Sequence, residues 1–432
     1  MYKPRCDRTV RITRPALLAT AVGAALAASA AQAADITVWS GYPELAPFYE
    51  RVAESMKDSH PDLNVTVEAI PLREHEKRVA LGLSSGSAGN VVVELPKSTA
   101  TRYLENDLLD AAPQAVIAAV KDSGNYGPFF LDAVSLDGTL YGVPLFRGQA
   151  ALFYNTAMFE EAGLDGPPAT MAEYSDHADK LTQRDADGNP TVSGWSLRLS
   201  GGGQGIAEKF WINQFQYGSN LMEEVENGKW RATIANEAGK AAFSQYLYNV
   251  HEADNVSVEM PADAEAFQRG QTAMFIRESW VIGDIAAKAP NLPYATAPLP
   301  VGSIALPANL YVSAEEQAAW DFALATNEPE HLVWMLDNVG WLPNRSDVDY
   351  SPILVKTPAL GAFVDYPDGY DFFTLPAIGP IEEILTRVAA TLTDAFADDS
   401  LSADEAAIDE TLLELEADVN KILEREGLLA EG

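Results

Sequence analysis

Residues 138–163, GTLYGVPLFRGQAALFYNTAMFEEAG, decide how the rest of the chain is to be read. Asp137-Gly138 is a turn pair, 140–143 is a short β-rich run, and Pro144 removes a ladder donor where a strand would otherwise continue. A second β-rich run follows at 151–154, and Asn155-Thr156 can cap a helix that Gly163 ends. The pattern predicts strand, crossing segment, strand and helix, with Arg147, Gly148 and Gln149 at the centre of the crossing. Such a segment suits a chain passing between two lobes beside a cleft, and it equally suits an ordinary connection between strand and helix.

Toward the amino terminus, Lys3, Arg5, Arg8, Arg11 and Arg14 precede an uncharged, Ala-rich run from 16 to 31 that ends in Ala31-Gln32-Ala33. That is the layout of a secretory signal peptide over 1–33, with a run too short for a membrane span. The single cysteine, Cys6, falls inside it, so the mature chain is expected to carry no disulfide, lipid anchor or thiol ligand. Stability then has to come from a large core, which 432 residues can supply as two domains. The formal net charge of −34 makes nucleic acid an unfavourable partner, and loss of the basic leader makes the chain more acidic still. The acidic groups are spread along the chain, a pattern of solubility or saline habitat rather than of a binding tail.

Strand and helix alternate nearly throughout. Residues 35–39 read as a strand, 45–58 as a helix, 63–70 as a strand, 73–83 as a helix and 90–94 as an apolar strand of buried type. Ligands in open α/β sheets sit beyond the carboxyl ends of strands, which singles out the loop Ser40 to Glu44 and the segment Leu95 to Ser98. Later, 185–189 resembles a calcium loop, but Pro190 stands where glycine is needed and no twelfth-position glutamate follows, so a hairpin turn is expected. Residues 195–199 read as a strand before the glycine run Gly201 to Gly205, which lacks the partners of a phosphate loop. Phe267 to Trp280 reads as helix end, glycine turn and strand, with Trp280 at the strand's carboxyl end. Residues 297–302 form an extended linker suited to a return crossing, 340–345 a third crossing, and the tail from Pro380 a long terminal helix with Leu412, Leu415, Val419, Ile422 and Leu423 inward. Two-lobed α/β architecture with interleaved domains follows from this order.

Taken as a set, these residues resemble the family 1 extracellular solute-binding proteins, the maltose-binding-protein-like components of ABC importers. The set comprises the leader and Ile36 to Ser40, Tyr141 to Pro144 with Leu152 to Asn155, Phe267, Gly270, Ala273-Met274, Ser279-Trp280 and Gly340 to Arg345. The resemblance implies the two-lobed periplasmic binding protein fold, with interleaved lobes joined by hinge crossings and a ligand cleft between them. Lobes at 34–146 with 303–344 and at 147–302 with 345–432 would close on a sugar or sugar derivative. It also implies a monomer in the periplasm, a cognate ABC permease as partner, and no cofactor or metal.

Relatives commonly place acidic groups where this chain has Tyr42 with Glu44, Lys97, and Arg147 with Gln149. Lys97, Arg147 and Arg345 therefore suggest an acidic group on the solute, unless they pair with nearby carboxylates. Trp280 is the leading contact, because an indole face covers the apolar side of a pyranose or attracts a cation. Ser40, Trp341, Phe372, Trp211, Gln204 and Asn309 complete the expected ligand set. A non-sugar solute such as a polyamine, an amino-acid-like compound or an organic anion is the alternative, and a secreted glycoside hydrolase a remoter one. For a hydrolase, acidic residues are too abundant for any pair to stand out, no Gly-x-Ser-x-Gly nucleophile elbow is expected outside the leader, and the histidines have no metal spacing.

Overall fold

The computed structural model describes residues 34–199, 203–226, 228–256, 263–314 and 317–431. The leader with Cys6, and Gly201-Gly202 of the glycine run, lie outside the described residues.

The chain opens with three parallel strands, β1 (Ala34–Ser40), β2 (Leu63–Ala69) and β3 (Val91–Pro96), with β1 between the other two. Helices α1 (Ala46–Ser55) and α2 (Leu72–Ser84) make the connections, and α3 (Lys97–Leu104) follows β3 directly. β3 reads VVVELP and is buried on both faces, as a central parallel strand requires. Val92 packs with Phe48 and Tyr49 of α1 on one face, while Val91, Val93 and Leu95 pack with Val79, Leu83 and Tyr103 on the other.

The opening stretch forms one continuous strand, β4 (Gly142–Asn155), rather than two strands separated by a break. Pro144 is accommodated because the register with the facing strand shifts there: Asn309 sits opposite Pro144 and Ala308 opposite Phe146, leaving Leu145 as an extra residue. The second half of β4 pairs antiparallel with β5 (Met274–Glu278) and β6 (Tyr294–Ala297). Its first half pairs with β7 (Gly302–Ser313) and, at Phe146 and Arg147, with β8 (Leu342–Pro343). β7 continues along β3, and its start lies parallel to β9 (Asp371–Phe373). The sheet order is β5-β4-β7-β3-β1-β2, with β6 and β8 also on β4 and β9 on β7.

Both long strands cross between two cores. Val143, Leu145 and Phe146 of β4, with Leu310 and Val312 of β7, lie in the core of β1, β3 and α1. Ala150 and Leu152 of β4, with Ile304 of β7, lie in a second core built on α4 (Gln204–Gln216), α7 (Ile381–Ala397) and α8 (Glu405–Arg425). Helices α5 (Gln317–Ala325) and α6 (Pro329–Asn338) return Trp320, Phe322, Leu332 and Met335 to the first core.

Three further expectations are corrected. The return crossing is β7 itself, and 298–301 only leads into it. Residues 195–199 form no strand; Ser193 and Ser196 make isolated bridges to Thr272 and Phe275. The tail is two helices with a short 3-10 turn, Asp399–Ala403, between them, because Asp404 accepts from the backbone N–H of Ala406 and Ala407 and starts α8 afresh. The apolar stripe on α8 is buried as its spacing requires, and 185–189 is the turn between paired strands 183–184 and 190–192.

Candidate binding cleft

A cavity of about 330 Å³ lies where the two cores meet. Its first wall comes from the loop after β1, the start of α2 and the end of β3; its second comes from the starts of α4 and α7 and the end of β5. Gly148 of β4, with Leu306 and Ala308 of β7, lies between them as the floor. The loop after β1 and the ends of β3 and β5 are carboxyl ends of strands, where an open α/β sheet binds ligands.

Three aromatic rings group here. Tyr42 meets Trp341 edge to face at 5.1 Å, and Trp280 lies 6.5 Å from Trp341. Trp341 is backed by Phe146 at 4.7 Å and donates from Nε1 to Glu44 at 3.2 Å. Gly340 before it has φ +91°, and a Cβ there would stand 3.0 Å from the Ser279 carbonyl oxygen, so this third crossing needs glycine to bring the indole in. The Arg277 guanidinium lies over Trp280 at 5.3 Å.

On the first wall, Glu94 is held by hydroxyls alone. Ser40 Oγ donates to Glu94 Oε2 at 2.7 Å and Tyr49 Oη does so at 2.5 Å, while Oε1 has no partner among the described residues. Burial pushes the Glu94 carboxyl up to about 8, and pushes the neighbouring His75 down to about 4. On the second wall, Glu278 meets Lys209 at 2.7 Å and Arg277 at 3.1 Å. Burial alone would raise the Glu278 carboxyl, but these two cations outweigh it and hold it well below the usual carboxylate range.

Several polar groups in the cavity are uncommitted. Among the described residues, no hydrogen bond or ion pair engages the Tyr42 hydroxyl, the Arg198 guanidinium or the Glu208 carboxylate. Arg198 has φ +56°, an uncommon conformation for a bulky residue, and its guanidinium packs on Gly205, where a Cβ would approach to 2.6 Å. The walls also touch each other. Arg73 Nη1 donates to Gln204 Oε1 at 3.0 Å, Arg102 pairs with Glu382 at 3.1 Å, and Thr99 Oγ1 donates to Glu382 at 3.4 Å.

Of the residues expected from sequence, Tyr42, Glu44, Gln204, Trp280 and Trp341 line this cavity. The others lie elsewhere. Ser40, Gln149 and Asn309 are buried, with Ser40 on Glu94, Gln149 donating to the Phe363 carbonyl and Tyr366, and Asn309 donating to the Ala133 carbonyl. Trp211 is a core residue stacked on Phe373, its Nε1 on Asn220. Phe372 is exposed beside Tyr366 and Tyr370. The three expected cations are engaged within the protein: Lys97 with Asp132 at 2.9 Å, Arg345 with Asp347 and the Asn327 carbonyl, and Arg147 with the Pro343 carbonyl at 2.9 Å and the Phe130 ring. Arg147 thus braces two crossings and, among the described residues, meets no carboxylate; it does not line the cavity.

Sequence reasoning missed Arg73, Glu94, Arg198, Glu208, Arg277 and Glu278. Two signals were available: a lone glutamate inside the apolar run VVVELP, and Arg277-Glu278 two residues before Trp280. Glu328, Glu330 and His331 bring three ligand-type atoms within 4.8 Å of one another, but none of them lines the cavity. Against the expectation that no Gly-x-Ser-x-Gly lies outside the leader, Gly82 to Gly86 spells one around Ser84, yet it ends α2 instead of turning from strand to helix. Among the described residues no helix is long and apolar enough to cross a membrane.

Comparison with known proteins agrees with this architecture. A putative binding protein of Brucella abortus (strain 2308) is 22% identical over 379 residues, covering 84% of this chain and 90% of that protein. An ABC substrate-binding protein of Listeria monocytogenes in complex with cycloalternan superposes with TM-score 0.76 at 19% identity, over 90% of this chain and 99% of that one. UgpB of Mycobacterium tuberculosis in complex with glycerophosphocholine gives 0.74 at 20%, over 91% and 99%. These structures share the two-lobed fold. The model of the bacterial extracellular solute-binding proteins matches residues 51–362, and the chain belongs to that family.

Proposed function

We propose that this chain is the periplasmic solute receptor of an ABC importer, that it captures a sugar in the cleft as its lobes close, and that it presents the closed form to a cognate permease. The reading is carried by one observation: the uncommitted Tyr42 hydroxyl, Arg198 guanidinium and Glu208 carboxylate converge beside Trp280 and Trp341 in a cavity walled from both halves. Rings that cover an apolar face, with donors and acceptors around them, suit a polyhydroxylated solute. The cycloalternan bound by the Listeria protein belongs to the same chemical class. Lys97, Arg147 and Arg345, the cations first read as partners of an acidic group on the solute, are engaged elsewhere, and the charges lining the cavity are six glutamates with Arg73, Arg198 and Arg277.

A solute touching both walls stabilises the closed arrangement over the open one, and that difference drives closure. The lobes that move are 34–146 with 303–344 against 147–302 with 345–432, after removal of a leader at 1–33. The protein acts as a monomer and as a binder without catalysis.

The test is a thermal-shift panel of D-glucose, D-galactose, maltose, lactose and cycloalternan, with glycerophosphocholine and spermidine as non-sugars. A sugar at about 100 times its Kd adds about 2.7 kcal/mol of stability and raises the melting temperature in proportion. A response confined to the non-sugars, or turnover of a glycoside that carboxylate variants abolish, would remove the reading.

A further inference from the structure

We propose that Glu94 stands in the cleft as an uncharged carboxylic acid and donates its proton to an oxygen of the bound solute. The inference rests on the solute-receptor reading and assigns one contact within it.

Glu94 is 2% exposed, and among the described residues no cation pairs with its side chain. Both of its partners are hydroxyls, and both give their single hydrogen to the same oxygen, Oε2. A proton on the carboxyl therefore belongs on Oε1, a buried oxygen for which the described residues supply no partner. A carboxylate in this position would be a buried charge with nothing opposite it, the least favourable state open to the group.

Among the described residues, no positive charge acts on the Glu94 carboxyl to compensate. Tyr42 faces Glu94 from the loop after β1, Glu44 from the 3-10 turn Pro43–Leu45 and Tyr49 from α1. His75 of α2 places Nε2 2.9 Å from the Glu94 carbonyl oxygen and is itself kept neutral by burial. Across the cleft, Glu208 and Glu278 add negative charge around Tyr42, Lys209 and Arg277 are committed to Glu278, and Arg198 acts on Glu208. Glu44 already accepts from Trp341 and Glu208 faces Arg198, which leaves Glu94, among the described residues, as the carboxyl here without a cation or an N–H donor on its side chain. The solute atom against it is an acceptor, such as a ring, ether or carbonyl oxygen, or a hydroxyl that passes its own hydrogen on.

Infrared difference spectra of the ligand-free protein test the charge state. Between about pH 6 and about pH 10 the wild type loses a protonated-carboxyl C=O band with a midpoint near 8, and Glu94→Gln lacks that band. No such band at about pH 6 would overturn the proposal. For any panel sugar that binds, wild-type affinity falls about tenfold for each pH unit above the midpoint, whereas Glu94→Gln, whose amide keeps a donor but does not titrate, loses that slope. Equal slopes in both proteins would remove the donor role. A panel with no response removes the receptor reading instead, and the infrared spectra still decide the state of Glu94.

Discussion

The two walls of the cleft manage buried acid in opposite ways. On the first, Glu94 is surrounded by hydroxyls and a neutral imidazole; on the second, Glu278 is clamped between Lys209 and Arg277. Of these two acids, Glu94 is the one set to answer to pH, and Glu278 the one set to answer to loss of a partner. Burial alone therefore does not decide whether a carboxyl is charged; what decides is whether a cation came in with it.

The largest effect should come from breaking the charged wall. Lys209→Met leaves Glu278 with Arg277 alone and should cost about 3 kcal/mol, read as a lower urea midpoint with an unchanged slope. If the loss were under about 1 kcal/mol, the wall would not depend on its pairing.

The neutral wall should show itself in pH. His75 has its folded value near 4, below the ordinary 6.5, so the unfolded chain binds more protons between them and stability rises with pH across that interval. Glu94 has its folded value near 8, above the ordinary 4.5, so the folded chain binds more protons between them and stability falls with pH across that interval. The two slopes oppose each other from about 4.5 to 6.5. Above that only Glu94 remains, and wild type should lose about 1.4 kcal/mol per pH unit relative to Glu94→Gln until the curve flattens past 8. Melting temperatures of both proteins across this range measure the difference, and parallel curves would erase the contrast between the walls.

A smaller effect isolates one contact. Ser40→Ala removes one of the two donors to Glu94, should cost about 1 kcal/mol, and should move the Glu94 midpoint upward, because that donor favours the charged form. The smallest belongs to the contact between walls: Glu382→Gln weakens the half-exposed pair with Arg102 by about 0.5 kcal/mol, and the difference should vanish at high salt. Small-angle scattering of the solute-free variant should report any accompanying opening.

Much of the frame was legible because it is written in periods and punctuation. The strand-helix alternation, the crossing at 142–155, the aromatics at 280 and 341, and the loop at 42–44 all follow from patterns that depend on neighbours in sequence. What escaped was the direction of side chains on the crossing strands. In a pleated strand alternate residues share a face. Arg147 and Gln149 share one, with Arg147 Nε 3.3 Å from Gln149 Oε1, and the residue presented to the cavity is the one between them. On β7 likewise, Leu306 and Ala308 reach the cavity while Asn309 turns into the core. Register is a tertiary property, so the segment was readable and its face was not. The uncommitted Arg198 escaped for a related reason: its place is set by a left-handed backbone turn that no spacing announces.

The residue between Arg147 and Gln149 is Gly148, opposite Leu306 at the bottom of the cleft. A Cβ built there would meet only ordinary contacts, Trp341 at 3.6 Å, Glu278 at 3.7 Å and Leu306 at 3.9 Å. The bare floor is therefore a depth gauge that one substitution resets. Larger side chains at this position would shorten the cavity from below while both walls, their ion pairs and the two crossing strands stay as they are, so its depth can change without a change in the frame around it.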